Sequence, residues 1–419
     1  MQKAKNNFVN LPSLCHTLCW ISFAIILAGC SEAQAELTDA SRGIQIVPYA
    51  AYQSDPSCSA MIETLRQSMD AGAPLYERYE DLTVIDAHYH GIAILIPDSW
   101  NKYNIDRTAL FWAISEPRAQ ITDMLSMWAY RFHPDRVYPY FAGIPIYDPQ
   151  GLTITRENLE QGYMGIGEIV GASTASPIAS AMAWKAEHPN DGILPEIYEL
   201  AVAYRVPVLL HIDPPRGYPI QMLEQAMVEH PHTLFVFAHA NAYNSPENIE
   251  NLVSRYPNLY IDFFAGFTAY NPGSFNNLSD FVPLIEKYPD RFFVSTDGGY
   301  DVGYDHAALA IYELLDLLIP QTACRVAYQN LEQIMEMQLP TEVQTVRIQE
   351  LSRILRESGT RTVNKRMANE LIFELENKLG KKTGGYILIG IFLAVLGARY
   401  VRVVRKIYIP VKRRKGQHG

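Results

Sequence analysis

The segment Leu82-Thr83-Val84-Ile85-Asp86-Ala87-His88-Tyr89-His90 runs an apolar, strand-like stretch into two histidines two residues apart. Alternate side chains of an extended strand share a face, so His88 and His90 should point the same way. Two neutral imidazoles aimed at one point make half of a zinc-type coordination shell, and the rest must come from other strand ends that folding brings close. Four later strand-like runs each end in a candidate donor: Gly165-Ile166-Gly167-Glu168, Val206-Pro207-Val208-Leu209-Leu210-His211, Leu234-Phe235-Val236-Phe237-Ala238-His239, and Phe292-Phe293-Val294-Ser295-Thr296-Asp297. Every donor sits at the carboxyl end of its run.

From residue 82 onward strands and helices alternate, which is the pattern of βα units in a parallel sheet. Eight strands are expected, at 82–88, 108–114, 137–144, 164–170, 206–212, 234–240, 259–264 and 292–297. Near-continuous apolar runs such as Val208-Leu209-Leu210 fit strands buried on both faces. The count predicts an α/β fold, a (β/α)8 TIM barrel over 82–339, with helices including 115–132, 193–204, 221–230, 245–256, 305–318 and 322–337. Residues 31–81 read as an N-terminal extension wrapped on the barrel. Residues 340–383 read as a helical stalk, with amphipathic helices at 341–357 and 363–379 that a barrel does not require.

The 419 residues carry a formal charge of −10, unevenly distributed. Twelve of the 35 basic residues lie in 1–30 and 381–419, which hold no acid, so the body has 23 basic against 45 acidic side chains. Such a body repels phosphate backbones and argues against nucleic acid as a partner. Residues 1–30 combine a basic start, an apolar run and Leu27-Ala28-Gly29-Cys30, the form of an export signal. This ending resembles the bacterial lipobox, which implies lipidation at Cys30; the alternative is an uncleaved membrane helix. Cys58 and Cys324 would then remain as the mature thiols, and an oxidising compartment favours their pairing.

Tyr386 to Ala398 is an unbroken apolar run of 13 residues, followed by Arg399, Arg402 and a basic tail over 405–419. With snorkelling arginines it extends to a transmembrane helix over 384–404; an interfacial helix and a buried soluble helix are the other readings. The basic end would stay cytoplasmic, placing the barrel on the outer, periplasmic side of a bacterial cytoplasmic membrane. Because the chain enters the first barrel strand and leaves the last helix at the bottom face, the mouth should open away from the lipid.

The ordered set His-x-His, Glu, His, His, Asp resembles the amidohydrolase superfamily, in its amidohydrolase-related, metal-dependent hydrolase branch. Asp86-Ala87-His88-Tyr89-His90, His211, His239 and Asp297 match that pattern, as do Pro134-Asp135-Arg136-Val137-Tyr138-Pro139-Tyr140-Phe141 and Asn330-Leu331-Glu332-Gln333-Ile334. The resemblance implies a divalent ion, foremost zinc, held by His88, His90, His211 and Asp297. Glu168 departs from the simplest one-metal pattern. It resembles the bridging position of TatD-type and phosphotriesterase-like members, in which His211 and His239 hold a second ion. Both one and two ions stay open.

The chemistry implied is hydrolysis of a small ester, lactone or amide, since a bound divalent ion lowers the pKa of its water to about 7. Asp297 would act as ligand and base, and His239 as ligand or as the group that polarises the carbonyl. Asp86 is expected to orient a ligand from behind. Arg216, in Asp213-Pro214-Pro215-Arg216-Gly217, is the candidate to hold a substrate carboxylate; a surface-loop arginine is the plain alternative. A non-oxidative decarboxylase shares the same shell, and a catalytically inactive membrane-tethered binding or scaffold protein is the third reading. Taken alone, His-x-His is more often packing than ligand. Joint placement of the donors at separate strand ends is what gives the set its meaning.

Overall fold

The computed structural model describes residues 56–67, 72–93, 95–357, 362 and 364–383. Its centre is an eight-stranded parallel sheet in the order of the chain: β1 Ile85–His90, β2 Arg107–Phe111, β3 Val137–Phe141, β4 Gly165–Ala172, β5 Pro207–Ile212, β6 Leu234–Phe237, β7 Leu259–Phe264 and β8 Phe292–Ser295. Each strand pairs with its successor. β8 returns to β1, where the Asp86 carboxylate accepts from the backbone N and the Oγ1 of Thr296, at 3.0 and 2.5 Å. The eight expected strands are all present, each within a few residues of its expected bounds.

The barrel holds because its strands are apolar on both sides. β4 and β7 are buried along their whole length, and Phe111, Tyr138, Phe141, Phe235, Phe237 and Phe263 are sealed from solvent. Burying an aromatic side chain of this size stabilises by roughly 2–3 kcal/mol before entropy is counted. Helices Ala119–Phe132, Leu194–Tyr204, Tyr218–Glu229, Pro246–Val253 and Tyr304–Leu317 form the outer layer near their expected positions. The last expected helix, 322–337, is instead three segments: Pro320–Cys324, a π-helical turn Arg325–Gln329, and Asn330–Glu336.

The two C-terminal helices do not stand off as a stalk. Glu342–Leu355 and Lys365–Thr383 form a hairpin around Ile348, Leu351, Leu355, Ala368 and Leu375. That hairpin is fastened to the barrel just before β4: Lys365 Nζ donates to the Tyr163 carbonyl at 3.2 Å, Asn369 Nδ2 to Gly162 at 2.9 Å, and Thr341 Oγ1 to Glu160 at 2.8 Å. Buried polar groups on one face, matched to backbone carbonyls, turn an apparently surplus pair of helices into a cap on the amino end of the barrel.

At the other side of the chain, the helix Pro56–Gln67 is tied to Pro320–Cys324 by a Cys58–Cys324 disulfide. Arg66 reinforces the join by donating to the carbonyls of Leu315 and Leu318, both at 2.9 Å. No helix among the described residues is long and apolar enough to cross a membrane. The signal segment with Cys30, the stretch 31–55, the expected span 384–404 and the tail 405–419 lie outside the described residues.

Candidate metal centre

The donors converge at the carboxyl ends of the strands, where a parallel barrel gathers residues distant in sequence. Two irregularities aim them. The register of β1 on β2 slips between Asp86 and Tyr89, and that of β4 on β5 slips between Ile166 and Ile169, so the slips fall on the segments carrying His88 and Glu168. Such bulges re-aim side chains next to functional sites. Gly167 has φ +132°, and a Cβ there would come 2.6 Å from the Leu209 carbonyl oxygen. Only glycine lets β4 lie that close to β5 just before Glu168. His239 and Asp297 occupy left-handed backbone, at φ 35° and 47°. Each carries strain on the order of 1–3 kcal/mol that the surrounding packing sustains.

Two clusters share one carboxylate. On one side the Nε2 atoms of His88 and His90 stand 2.9 Å apart. Glu168 Oε2 lies 3.7 and 3.3 Å from them, and Asp297 Oδ1 lies 3.4 and 3.3 Å away. On the other side Glu168 Oε1 is 3.0 Å from both His211 Nδ1 and His239 Nε2, which are 3.0 Å from each other. Glu168 thus turns one oxygen to each histidine pair. Five of the six residues are buried, and His90 is partly exposed at the cavity.

The outward nitrogens are fixed. His88 Nδ1 donates to Asp262 Oδ2 at 2.7 Å, and His90 Nδ1 donates to the Trp112 carbonyl at 2.8 Å. With those protons placed, the neutral rings present lone pairs at Nε2 toward one point, an arrangement that repels unless a cation occupies it. His211 is oriented in the opposite sense, with Nε2 at 3.4 Å from Asp213 Oδ2 and Nδ1 inward. Asp213 is held in turn by the backbone N of Thr174, Ala175 and Ser176.

The electrostatics say the same. Burial pushes the imidazoles of His90 and His211 toward neutrality, but Asp297 and Glu168 hold His90 up at about 10, and Asp213 and Glu168 hold His211 at about 9. Glu168 is itself buried, yet the surrounding His211, His239, His88 and His90 keep it well below the usual carboxylate range. Asp297 is lowered against its burial by His88 and His90. A donor set this rich in carboxylate must carry positive charge, as protons or as metal ions that displace them. His88, His90 and Glu168 form one group of ligand atoms within 4.8 Å of one another, and Glu168, His211 and His239 form a second. A divalent ion fits both.

Asp86 supports His88 through the backbone and not through the ring. Its carboxylate accepts from the backbone N of His88 at 3.1 Å and from Thr296, so it seams β1 to β8. The carboxylate on the His88 ring is Asp262, which also accepts from the backbone N of His239 at 3.0 Å. Its signal in the sequence is a lone acid inside the apolar run Leu259-Tyr260-Ile261-Asp262-Phe263-Phe264. Asp213 was equally open to reading, two residues after His211 and therefore on the same face. Arg216 is not brought to the centre: it is exposed on the loop after β5 and does not line the cavity. His306 stacks on Tyr270 with centroids 4.5 Å apart, also away from the cavity lining.

His90, Glu168, His211, His239 and Asp297 line a cavity of about 350 Å³. No protein-family model matches the chain, and no curated protein matches it. Among solved structures it is similar to an uncharacterized TIM-barrel protein from Bordetella bronchiseptica, at 15% identity over 60% of this chain and 98% of the other, TM-score 0.45. It is also similar to 4-oxalomesaconate hydratase from Rhodopseudomonas palustris, at 15% identity over 60% and 95% of the two chains, TM-score 0.39. A third is a dihydroxybenzoic acid decarboxylase from Polaromonas sp., with bound manganese and the inhibitor 2-nitroresorcinol, at 13% identity over 60% and 96%, TM-score 0.37.

Proposed function

We propose that this chain is a metal-dependent hydrolase of a small ester, lactone or amide. The observation that carries the reading is the division of Glu168, one oxygen toward His88 and His90 and the other toward His211 and His239. In that arrangement His88, His90 and Asp297 would hold one divalent ion, His211 and His239 a second, and Glu168 would join both. Ions held there supply Lewis acidity and lower the pKa of water at the site. Imidazole suits zinc and carboxylate suits manganese, so the donor types accept either ion and do not single out zinc.

The chain's own groups do the rest. Asp297 Oδ1 lies 3.4 and 3.3 Å from the inward nitrogens of His88 and His90, and the residue lines the cavity, so it is placed to accept a proton from the attacking water. The water oxygen then bonds to the carbonyl carbon, the bond to the leaving oxygen or nitrogen breaks, and Asp297 returns the proton to the leaving group. Asp262 and Asp213 keep His88 and His211 in the tautomers this requires. The remaining donors stay fixed because their strands are packed, which limits reorganisation during reaction.

The same reading keeps the barrel on the outer side of a bacterial cytoplasmic membrane, held by lipidated Cys30 and the apolar segment 384–404. The Cys58–Cys324 disulfide supports export, since such pairs persist in oxidising compartments. The test of function is turnover of an ester, lactone and amide panel by the metal-loaded protein, with and without chelator. His88→Ala and Asp297→Ala should each abolish activity while the thermal transition is retained. Undiminished turnover in either variant would contradict the proposal.

A further inference from the structure

The walls above the donors differ in character from the floor. Trp112, Ile178, Met182, Phe264, Phe267 and Tyr300 line the cavity, and three of them continue its apolar surface outward: Trp112 is 45% exposed, Ile178 54% and Tyr300 37%. Arg118 is the one lysine or arginine among the lining residues. Its guanidinium is already engaged by Glu116 Oε1, at 2.9 and 2.6 Å, and Glu116 lines the cavity too. The arginine expected to receive a carboxylate, Arg216, is outside.

From this we infer that the site selects an uncharged acyl compound with an apolar or aromatic body, and disfavours one bearing a free carboxylate. The inference rests on the hydrolase reading and narrows its substrate. Away from the donors, a substrate carboxylate would meet walls whose one cation, Arg118, is already engaged by Glu116, and burying an unpaired charge is costly. A neutral body gains instead from contact with Trp112, Phe267 and Tyr300. Removing an aryl or butyl group from water contributes roughly 25 cal/mol per Å² of apolar area. A cavity of about 350 Å³ holds one ring and a short chain. The exposed aromatic edge at the entrance gives such a compound its first contact before its carbonyl reaches the floor.

Two matched pairs of compounds test this with the full chain loaded with zinc or manganese. Butyrophenone and 4-oxo-4-phenylbutanoate are uncleavable and differ in a terminal carboxylate; calorimetry should show the neutral ketone binding at least tenfold more tightly. Ile178→Ala and Phe267→Ala should each weaken the ketone about threefold or more, and undiminished ketone binding in both variants would overturn the inference. Equal or tighter binding of the carboxylate compound, or binding of neither, overturns the inference. 4-Nitrophenyl butyrate and 4-nitrophenyl hemisuccinate carry the same contrast in cleavable form, and kcat/KM should favour the butyrate at least tenfold. Cleavage of both esters at similar kcat/KM would overturn the inference and leave the hydrolase reading standing. Ketones that sort as expected, with neither ester cleaved, would support the apolar preference and count against hydrolysis.

Discussion

Asp262 Oδ2 lies 2.7 Å from Nδ1 of His88, inside a strand that is otherwise wholly apolar. The same oxygen takes the backbone N–H of His239, so one carboxylate steadies a residue of each histidine pair. Asp262→Asn keeps the shape but removes the charge that fixes the His88 ring. Partners of this kind are worth 10–100-fold in metal affinity. The variant should therefore bind zinc or manganese about 10–100-fold more weakly, measured by competition with a chromogenic chelator. Unchanged affinity would show that the ring is held by packing alone.

Lys365 gives a pH signature far from the centre. It is fully buried, and burial draws its pKa down from the ordinary 10.5 to about 7. Between pH 7 and about 10 the unfolded chain holds a proton that the folded chain does not, so this group makes stability rise with pH across that window. The destabilisation is complete below pH 7 and vanishes as pH approaches the unfolded value. Lys365→Met removes the effect but leaves the Tyr163 carbonyl without this donor. The stability of the variant minus that of the native chain should fall by at least about 1 kcal/mol between pH 6 and 9.5. Urea midpoints at the two pH values measure it, and a difference that is flat or rises would refute the assignment.

Cys58 and Cys324 are 266 residues apart in the chain. Closing a loop of that length constrains the unfolded state, and loss of a native disulfide typically costs about 2–5 kcal/mol. The double variant Cys58→Ser with Cys324→Ser should lower stability by that amount and free the helix Pro56–Gln67 for early proteolysis. Peptide mapping without reduction should recover the two cysteines as one linked pair. Recovery of both as alkylated thiols would contradict it.

The barrel was legible because eight largely apolar runs alternate with helices and five of those runs close on a donor, two signals that do not depend on tertiary detail. His88, His90, Glu168, His211, His239 and Asp297 were found this way, and the structure brings all six together. Asp262 escaped because it lies within its strand rather than at the end, and only the curvature of the barrel turns its side chain onto His88. Arg216 misled for the opposite reason: proximity in sequence to His211 says nothing about where an exposed loop points. The C-terminal helices read as surplus because their apolar faces are short. Their attachment runs through Lys365, Asn369 and Thr341, which donate to backbone carbonyls, together with the ion pairs Arg131–Glu376 and Arg366–Glu336 and the contact of Phe373 with Tyr130, partners that only the folded chain brings together.

The account turns on Glu168 as the residue shared by two ions. Metal content of the purified chain by mass spectrometry, after dialysis against excess zinc or manganese, tests this most directly when native protein and Glu168→Gln are compared. The geometry of Oε1 and Oε2 predicts about two ions per chain in the native protein and about one in the variant. One ion in both, or no retained divalent metal in the native chain, would contradict it.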